Sequence, residues 1–588
     1  AWPAPALQHG LLLQGARGPA EGAALYVEQF AFRLRPPVDT GALARAWDLV
    51  TARHQALRSL ILHEGLERPL VVVARHHRPE IATSDHRVLA PAAAEAALDA
   101  ALARDRATRF DAARGCPWRL ALHRLPGNAG SDEDVGAGDI VLVWSFHHAL
   151  LDGWSTFRVL EEVLAAYTAL TRRSTPDLAP AAPLARFAAW LAARDPLAEE
   201  TYWRAALDNL PEPQPLPGGR PGGSATAERH HITGRLPAPA AARIVEAARL
   251  LKVTPATIAQ AAWAMVLARH GDREDVVFGT TVSGRPEAVA EVERMVGLFI
   301  NTVAVRVRID PARRIGDWLA ELQESRRAAT AFEAAPLGLV QRWALPGEQR
   351  RPLFETILAF ENYPVAEALK GDAVTPPVLD VADTVYEGRT EYPLTVTVLP
   401  GDGFAVDIAY DPGLVDADAA DRLLRQMLTA LAGLTRDPQA RLATVDVLDA
   451  AERRLIADWS QGRGAAAIAA GFAGDPAPVA DDDRPLHLRL ADHGAGELAL
   501  IHGDRRLDRA WLDTAARRVA ARLVAVGVGK GDLVALLMPR CPELVAAMVG
   551  IHLAGAAYLP LDPVYPDTRI AAVLGHARPR AVMADMAG

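Results

Sequence analysis

Two cysteines, Cys116 and Cys541, are all that 588 residues contain, and neither has histidine or cysteine neighbours at metal-ligand spacing. A disulfide scaffold and a zinc site are thereby excluded, no metal is expected, and a reducing cytoplasmic setting is the expectation. An excess of one charge is also lacking: 63 Lys and Arg against 72 Asp and Glu leave a net charge of −9. The arginines are scattered along helical stretches, so no basic face points to nucleic acid. Long hydrophobic runs are missing too. The nearest, from Leu544 to Leu561, is interrupted by His552 and Pro560 and falls short of the roughly 20 residues a membrane span needs. No secretory leader is visible. The chain opens on Ala1 without an initiator methionine and stops at Gly588 just after a strand-like Ala581-Val582-Met583. It reads as a piece of a longer polypeptide.

What is present is an ordinary globular composition on a length that predicts roughly two to four domains. Asp39-Thr40 offers a helix N-cap, and Leu43, Trp47, Val50, His54 and Leu57 recur at steps of three and four, an amphipathic helix. Leu70 to Val73 reads as a strand, Pro91 to Arg106 as a second helix and Pro117 to His123 as a strand. An acidic, Gly-rich loop from Gly127 to Gly138 leads into the strand Ile140 to Phe146, and Phe157, Leu160, Leu164 and Tyr167 mark the helix after it. Further on, a long helix near Ala256 to His270 precedes a strand from Asp275 to Val282. Strands mixed with helices in this way predict a layered α/β architecture. From Gln461 to Arg484 the sequence is mostly Ala, Gly, Pro and Asp, a linker composition. Beyond it, the helix Ala510 to Val526 and the strands Val534–Met538, Ala557–Leu561 and Ala581–Ala584 predict the beginning of a parallel α/β sheet.

One motif carries chemistry. His147-His148-Ala149-Leu150-Leu151-Asp152-Gly153-Trp154-Ser155 follows a strand and precedes a helix. Successive side chains on a strand alternate between its faces, so the two histidines cannot point the same way. One can face an internal channel while the other packs behind it. Imidazole titrates near neutrality and suits deprotonating an attacking amine. Asp152-Gly153 supplies a turn and a carboxylate, and glycine lets the backbone approach closely. The pairs His76-His77 and His230-His231 lack such a setting and read as surface or packing residues.

HHxxxDG is the signature of nonribosomal peptide synthetase condensation domains, and the resemblance runs through about the first 450 residues. Leu7-Gln8-His9-Gly10-Leu11-Leu12 resembles the family's opening motif and Arg53-His54-Gln55-Ala56-Leu57-Arg58 the next. Val276 to Pro286, Val296 to Thr302, Phe354 to Pro364 and Tyr392-Pro393-Leu394-Thr395 resemble later ones in the same order. The resemblance implies two lobes, each like a chloramphenicol acetyltransferase subunit, set in a V around a tunnel, with residues 1–175 and 176–450 as the lobes and 451–485 as a linker. It also implies amide-bond formation between acyl and aminoacyl thioesters, both carried on the 4′-phosphopantetheine of peptidyl carrier proteins, one upstream and one downstream. No intrinsic cofactor is expected. By the same match His148 is the active-site residue, acting as base or as positioning group, while His147, Asp152 and Gly153 are structural. Arg285, in Ser283-Gly284-Arg285-Pro286, is the expected partner of Asp152.

Residues 486–588 resemble the start of an adenylation domain, chiefly through Leu553 to Pro563. The family's phosphate loop lies further on, so this part is expected to be inactive; ATP and Mg would serve only a complete adenylation domain. Gly527-Val528-Gly529-Lys530-Gly531-Asp532 lacks P-loop spacing and reads as a helix-to-strand turn. Heterocyclising relatives replace the histidine pair, epimerising ones are not normally followed by an adenylation segment, and dual-function ones carry a second histidine pair near the N-terminus, where only His9 stands. Leu150-Leu151 before Asp152 and the FENYP segment lean toward a D-configured or starter-acyl donor. A catalytically silent module that only docks carrier proteins is the alternative from another class.

Overall fold

The computed structural model describes residues 1–17, 24–63, 65–127, 138–210, 215–220, 222–226, 228–345, 347, 352–361, 379–388, 390–401, 403–460, 486–489 and 494–584. They fall into two compact units, 1–461 and 462–588.

Among the described residues the first unit holds a small sheet of order Trp2–Pro3, Leu70–Val73, Ser59–Leu62 and two larger ones. In the five-stranded one, the order is Asp380–Glu387, Val27–Arg35, Ile140–His147, Trp118–Arg124, Ile81–Asp85. The central strand Ile140–His147 is buried along nearly its whole length, which is why it reads as a continuous apolar run rather than an alternating one. Helices Thr40–Arg53 and Gly153–Thr171 cover one face through Leu43, Trp47, Val50, Val159, Leu160 and Tyr167, packed on Trp118, Trp144 and Phe146. Helix Pro91–Ala107 covers the other through Ala94, Leu98 and Leu102, against Ala31, Val141 and Val143. Asp39 caps the first of these helices by accepting the amide hydrogen of Ala42 at 2.8 Å.

The six-stranded sheet runs Asn301–Arg308, Asp275–Val282, Thr356–Phe360, Leu394–Leu399, Ala405–Tyr410, His230–Arg235. Its main covering helix, Pro255–Gly271, is buried at every position from Thr257 to Ala268. An all-round apolar helix of that kind belongs in the middle of a core. His230 and His231 lie on the edge strand, the latter 3.0 Å from Asp407, and His77 stands edge-on to Trp118. All three serve packing or surface roles.

Two boundaries differ from the sequence reading. Strand Asp380–Glu387 lies within the stretch expected to form the second lobe, yet it pairs antiparallel with Val27–Arg35 of the first sheet. The stretch expected as a linker from 451 opens instead inside a helix, Ala450–Ser460. Asp449 accepts the amide hydrogens of Ala451 and Glu452, and buried Glu452 accepts from Gln426 at 2.9 Å, which ties the helix to the core. Residues 461–485 lie outside the described residues, as do Asn362 to Pro364 of the FENYP segment and 128–137 of the acidic loop.

In the second unit a parallel sheet of order Ala557–Leu561, Leu533–Leu537, Ala581–Ala584 accompanies a hairpin, Leu498–His502 with Arg505–Asp508. Gly527 and Gly531, at φ 84° and 89°, turn the chain from helix Arg509–Ala525 into strand Leu533–Leu537. Among the described residues no single helix is long and apolar enough to cross a membrane.

Candidate active site

The histidine pair sits where strand Ile140–His147 ends. His147 is the last strand residue, opposite Val27, and it is buried. Its Nδ1 accepts the amide hydrogen of Ala149 at 3.0 Å, so the proton of the neutral ring is on Nε2. Burial, and secondarily the positive charge His148 can carry, push the His147 pKa down to about 3. The ring is therefore neutral and locked behind the strand.

His148 is one residue further and only half-buried. Its amide donates to the Tyr26 carbonyl at 2.8 Å, which fixes the backbone. Its Nδ1 lies 2.9 Å from the Leu151 carbonyl oxygen. A carbonyl only accepts, so Nδ1 carries a proton, and in the neutral ring Nε2 is then the acceptor. The ring lines a cavity of about 920 Å³ whose wall also includes Tyr26, Ile300, Thr302, Glu391 and Tyr392.

Asp152 points away from that chemistry. It caps helix Gly153–Thr171, accepting the Ser155 amide hydrogen at 2.8 Å through Oδ1, and its other oxygen accepts from the Phe299 amide at 3.0 Å. Arg285 Nη2 lies 3.1 Å from Oδ1, with both side chains essentially out of solvent. The same nitrogen donates to Ser155 Oγ at 2.9 Å, while Nη1 donates to the Val292 and Met295 carbonyls. Phe299 covers the guanidinium face at 4.0 Å from its ring centre. Gly153, the first residue of the helix, is half-buried. Gly284 takes φ +60°, and a β-carbon there would overlap the Phe299 carbonyl oxygen, so the loop that carries Arg285 requires glycine.

Sequence reading brings these residues together only in part. It names Arg285 for Asp152, but not Ser155, whose hydroxyl accepts the Gly297 amide hydrogen at 3.0 Å and donates to the Gly297 carbonyl at 2.8 Å. Gln8, in the first matched motif, donates from Nε2 to the Ala149 carbonyl at 2.8 Å. His54, in the second, stands 2.9 Å from Glu162 on the helix that follows the histidine pair. The first motif thus meets the turn itself, as do the segments carrying Arg285 and Phe299, while the second meets the helix beyond it. Tyr26, Glu391 and Glu361 went unnoticed. Burial and then Glu28 push the Glu361 carboxyl up to about 6, with nearby His148 acting in the opposite sense. Tyr26 stands just before strand Val27–Arg35, Glu361 lies inside the Phe354 to Pro364 motif and Glu391 directly precedes Tyr392-Pro393-Leu394-Thr395, but nothing in those motifs singled out the side chains that face the site. No group of three or more potential metal ligands occurs among the described residues.

The turn is thus buried, held by an arginine, and presents one histidine to a cavity in an α/β core. The chain belongs to the condensation-domain family, whose model matches residues 7–457, and it continues into the beginning of an AMP-binding enzyme, matched over 488–587. It is a transferase domain of the kind that forms amide bonds in nonribosomal peptide synthesis. Linear gramicidin synthase subunits B and C of Brevibacillus parabrevis are each 34% identical to it, over 98% and 97% of this chain. The chain spans only 11% and 7% of their lengths. Among solved structures, a four-domain nonribosomal peptide synthetase bound to AMP and glycine matches all of the chain with TM-score 0.63 and 20% identity, the chain covering 43% of it. The first condensation domain of the calcium-dependent antibiotic synthetase, in complex with a substrate analogue, matches 75% of this chain and 98% of its own with TM-score 0.58 and 21% identity. At such identities the structural likeness concerns the fold.

Proposed function

We propose that the chain transfers an acyl or peptidyl group from a thioester on an upstream carrier protein to the amine of an aminoacyl thioester on a downstream one, both on 4′-phosphopantetheine, with His148 as the active-site residue. The observation that carries this reading is the tautomer of His148. With Nδ1–H committed to the Leu151 carbonyl, Nε2 is left as an acceptor on a ring that lines the cavity. An acceptor nitrogen there can take a proton from the amine as its lone pair attacks the thioester carbonyl, and return it to the departing thiolate. Held by tethers, the two substrates gain proximity that free thioesters lack. Asp152 and Arg285 hold the turn and do not reach the reacting atoms. His147, neutral and enclosed, holds the strand end.

The test is amide formation between two loaded carrier proteins, followed by mass on the acceptor carrier. Wild-type chain should produce the amide, and His148→Ala should slow it by roughly 10²–10⁴-fold without lowering the melting temperature. Undiminished transfer by that variant would remove His148 from the chemistry.

A further inference from the structure

The cavity beside His148 is walled largely by apolar groups such as Leu7, Leu11, Leu353 and Phe354, yet Glu391 stands among them. Burial raises the pKa of that carboxyl, and polar contacts from Tyr26 and Gln14 oppose the rise; among the described residues no cation is found to act on it. Arg342 lines the same cavity, but no ion pair between the two is found among the described residues. The groups that meet the carboxylate are thus a phenol and an amide. The phenol has one proton and two acceptors before it, because Tyr26 Oη also lies 3.2 Å from Gln14 Oε1. Among the described residues, a carboxylate enclosed in this way is without the positive partner that such groups require.

Tyr26 also ties Glu391 to the histidine. Its carbonyl accepts the His148 amide hydrogen at 2.8 Å, while its phenol reaches Glu391. The residue adopts φ +62°, a left-handed conformation uncommon for a side chain of this size. One residue therefore touches His148 with its backbone and the lone carboxylate with its side chain.

We infer that Glu391 holds the ammonium group of the incoming amine substrate in the His148 cavity, an inference that rests on His148 serving amide formation. A primary ammonium has three donors and one positive charge, which match a carboxylate met, among the described residues, only by a phenol and an amide. The proton count closes with this assignment. The ammonium first gives one proton to the Glu391 carboxylate, which passes it to water. The neutral nitrogen then attacks the thioester carbon, forming the C–N bond. Its second proton goes to His148 Nε2, and as the C–S bond breaks the departing sulfur takes that proton. The products are an amide, a thiol and one proton released to solvent.

Binding tests this without turnover. The full chain is titrated with pantetheine bearing alanine through an amide in place of the thioester, and with the propionyl counterpart that lacks the amino group. Wild-type should bind the alanyl compound about 10- to 100-fold more tightly, the worth of one charge-assisted hydrogen bond. Glu391→Gln should bring the ratio close to one by weakening the alanyl compound alone, and Glu391→Asp should keep a several-fold preference. The assignment is overturned if wild-type binds neither compound or both alike, if Glu391→Gln keeps the preference or weakens both equally, or if Glu391→Asp behaves as Gln does. Failure of the His148→Ala transfer assay would instead strike the reading of His148, since the ammonium preference is read in the absence of chemistry.

Discussion

Arg285 Nη2 lies 3.1 Å from Asp152 Oδ1 and 3.3 Å from Oδ2, and the two side chains are 2% and 0% exposed. The pair joins the histidine turn, on the five-stranded sheet, to a loop that follows strand Asp275–Val282 of the six-stranded one. Removing one partner leaves the other charge buried, a loss of typically about 3–5 kcal/mol.

Asp152→Ala and Arg285→Ala should therefore each lower the melting temperature and abolish transfer. The double variant should be less destabilised than the sum of the two, because the second substitution removes the charge that the first left stranded. Melting curves of the four proteins give the coupling; additive losses would mean the pair contributes nothing as a pair.

Two glycines of helix Ala6–Arg17 should respond with opposite sign. A β-carbon on Gly15 would stand 2.9 Å from His147 Nε2 and 3.3 Å from the Leu25 carbonyl oxygen, whereas one on Gly10 meets nothing within 4 Å. Gly15→Ala should destabilise by about 1–3 kcal/mol through overpacking. Gly10→Ala should be neutral or stabilising by up to about 1 kcal/mol, as alanine is the better helix former. Thermal unfolding of both variants checks the contrast, and equal effects would refute the close approach.

The adenylation-like part should activate no amino acid in this chain. Its family match covers residues 488–587, and the described part comprises a hairpin, a three-stranded parallel sheet and the helices around it. Amino-acid-dependent exchange of pyrophosphate into ATP should remain at background; exchange above it would place an ATP site in these residues.

Local pattern carried much of the fold. Strands Asp275–Val282, Ala557–Leu561 and Ala581–Ala584 have the ends that apolar runs bounded by turn residues predict. Partner choice did not show. Strand Asp380–Glu387 has a mostly exposed side-chain pattern, and nothing within eight residues says that it pairs with Val27–Arg35, some 350 positions earlier. The site divides the same way. Alternation along a strand separates His147 from His148 because the two lie at one strand end. Glu391 and Tyr26 meet only after the chain has closed over 365 residues, through an uncommon backbone angle at Tyr26. Neither spacing nor periodicity encodes such a meeting.

The enclosed state of His147 should appear as a pH dependence of stability. Its pKa falls from 6.5 to about 3 on folding, chiefly by burial and then by His148. Between those values the unfolded chain binds a proton that the folded one refuses. Stability gains from the unfolded side binding more protons only as pH rises, so this residue stabilises least at low pH. Its contribution is complete above pH 6.5 and declines as pH falls toward 3, by about 1.4 kcal/mol per pH unit. Replacing His147 by Asn removes the titration while keeping a side chain that can accept the Ala149 amide hydrogen. His147→Asn should lower the melting temperature at pH 7.5, because ring packing is lost, and should lose less than wild-type on going to pH 5. Melting temperatures of both proteins across that range give the difference in slope, in which every other titrating group cancels. Parallel curves would mean that His147 takes up its proton in the folded state as readily as in the unfolded one, and that its ring is not the sealed support of the strand end described above.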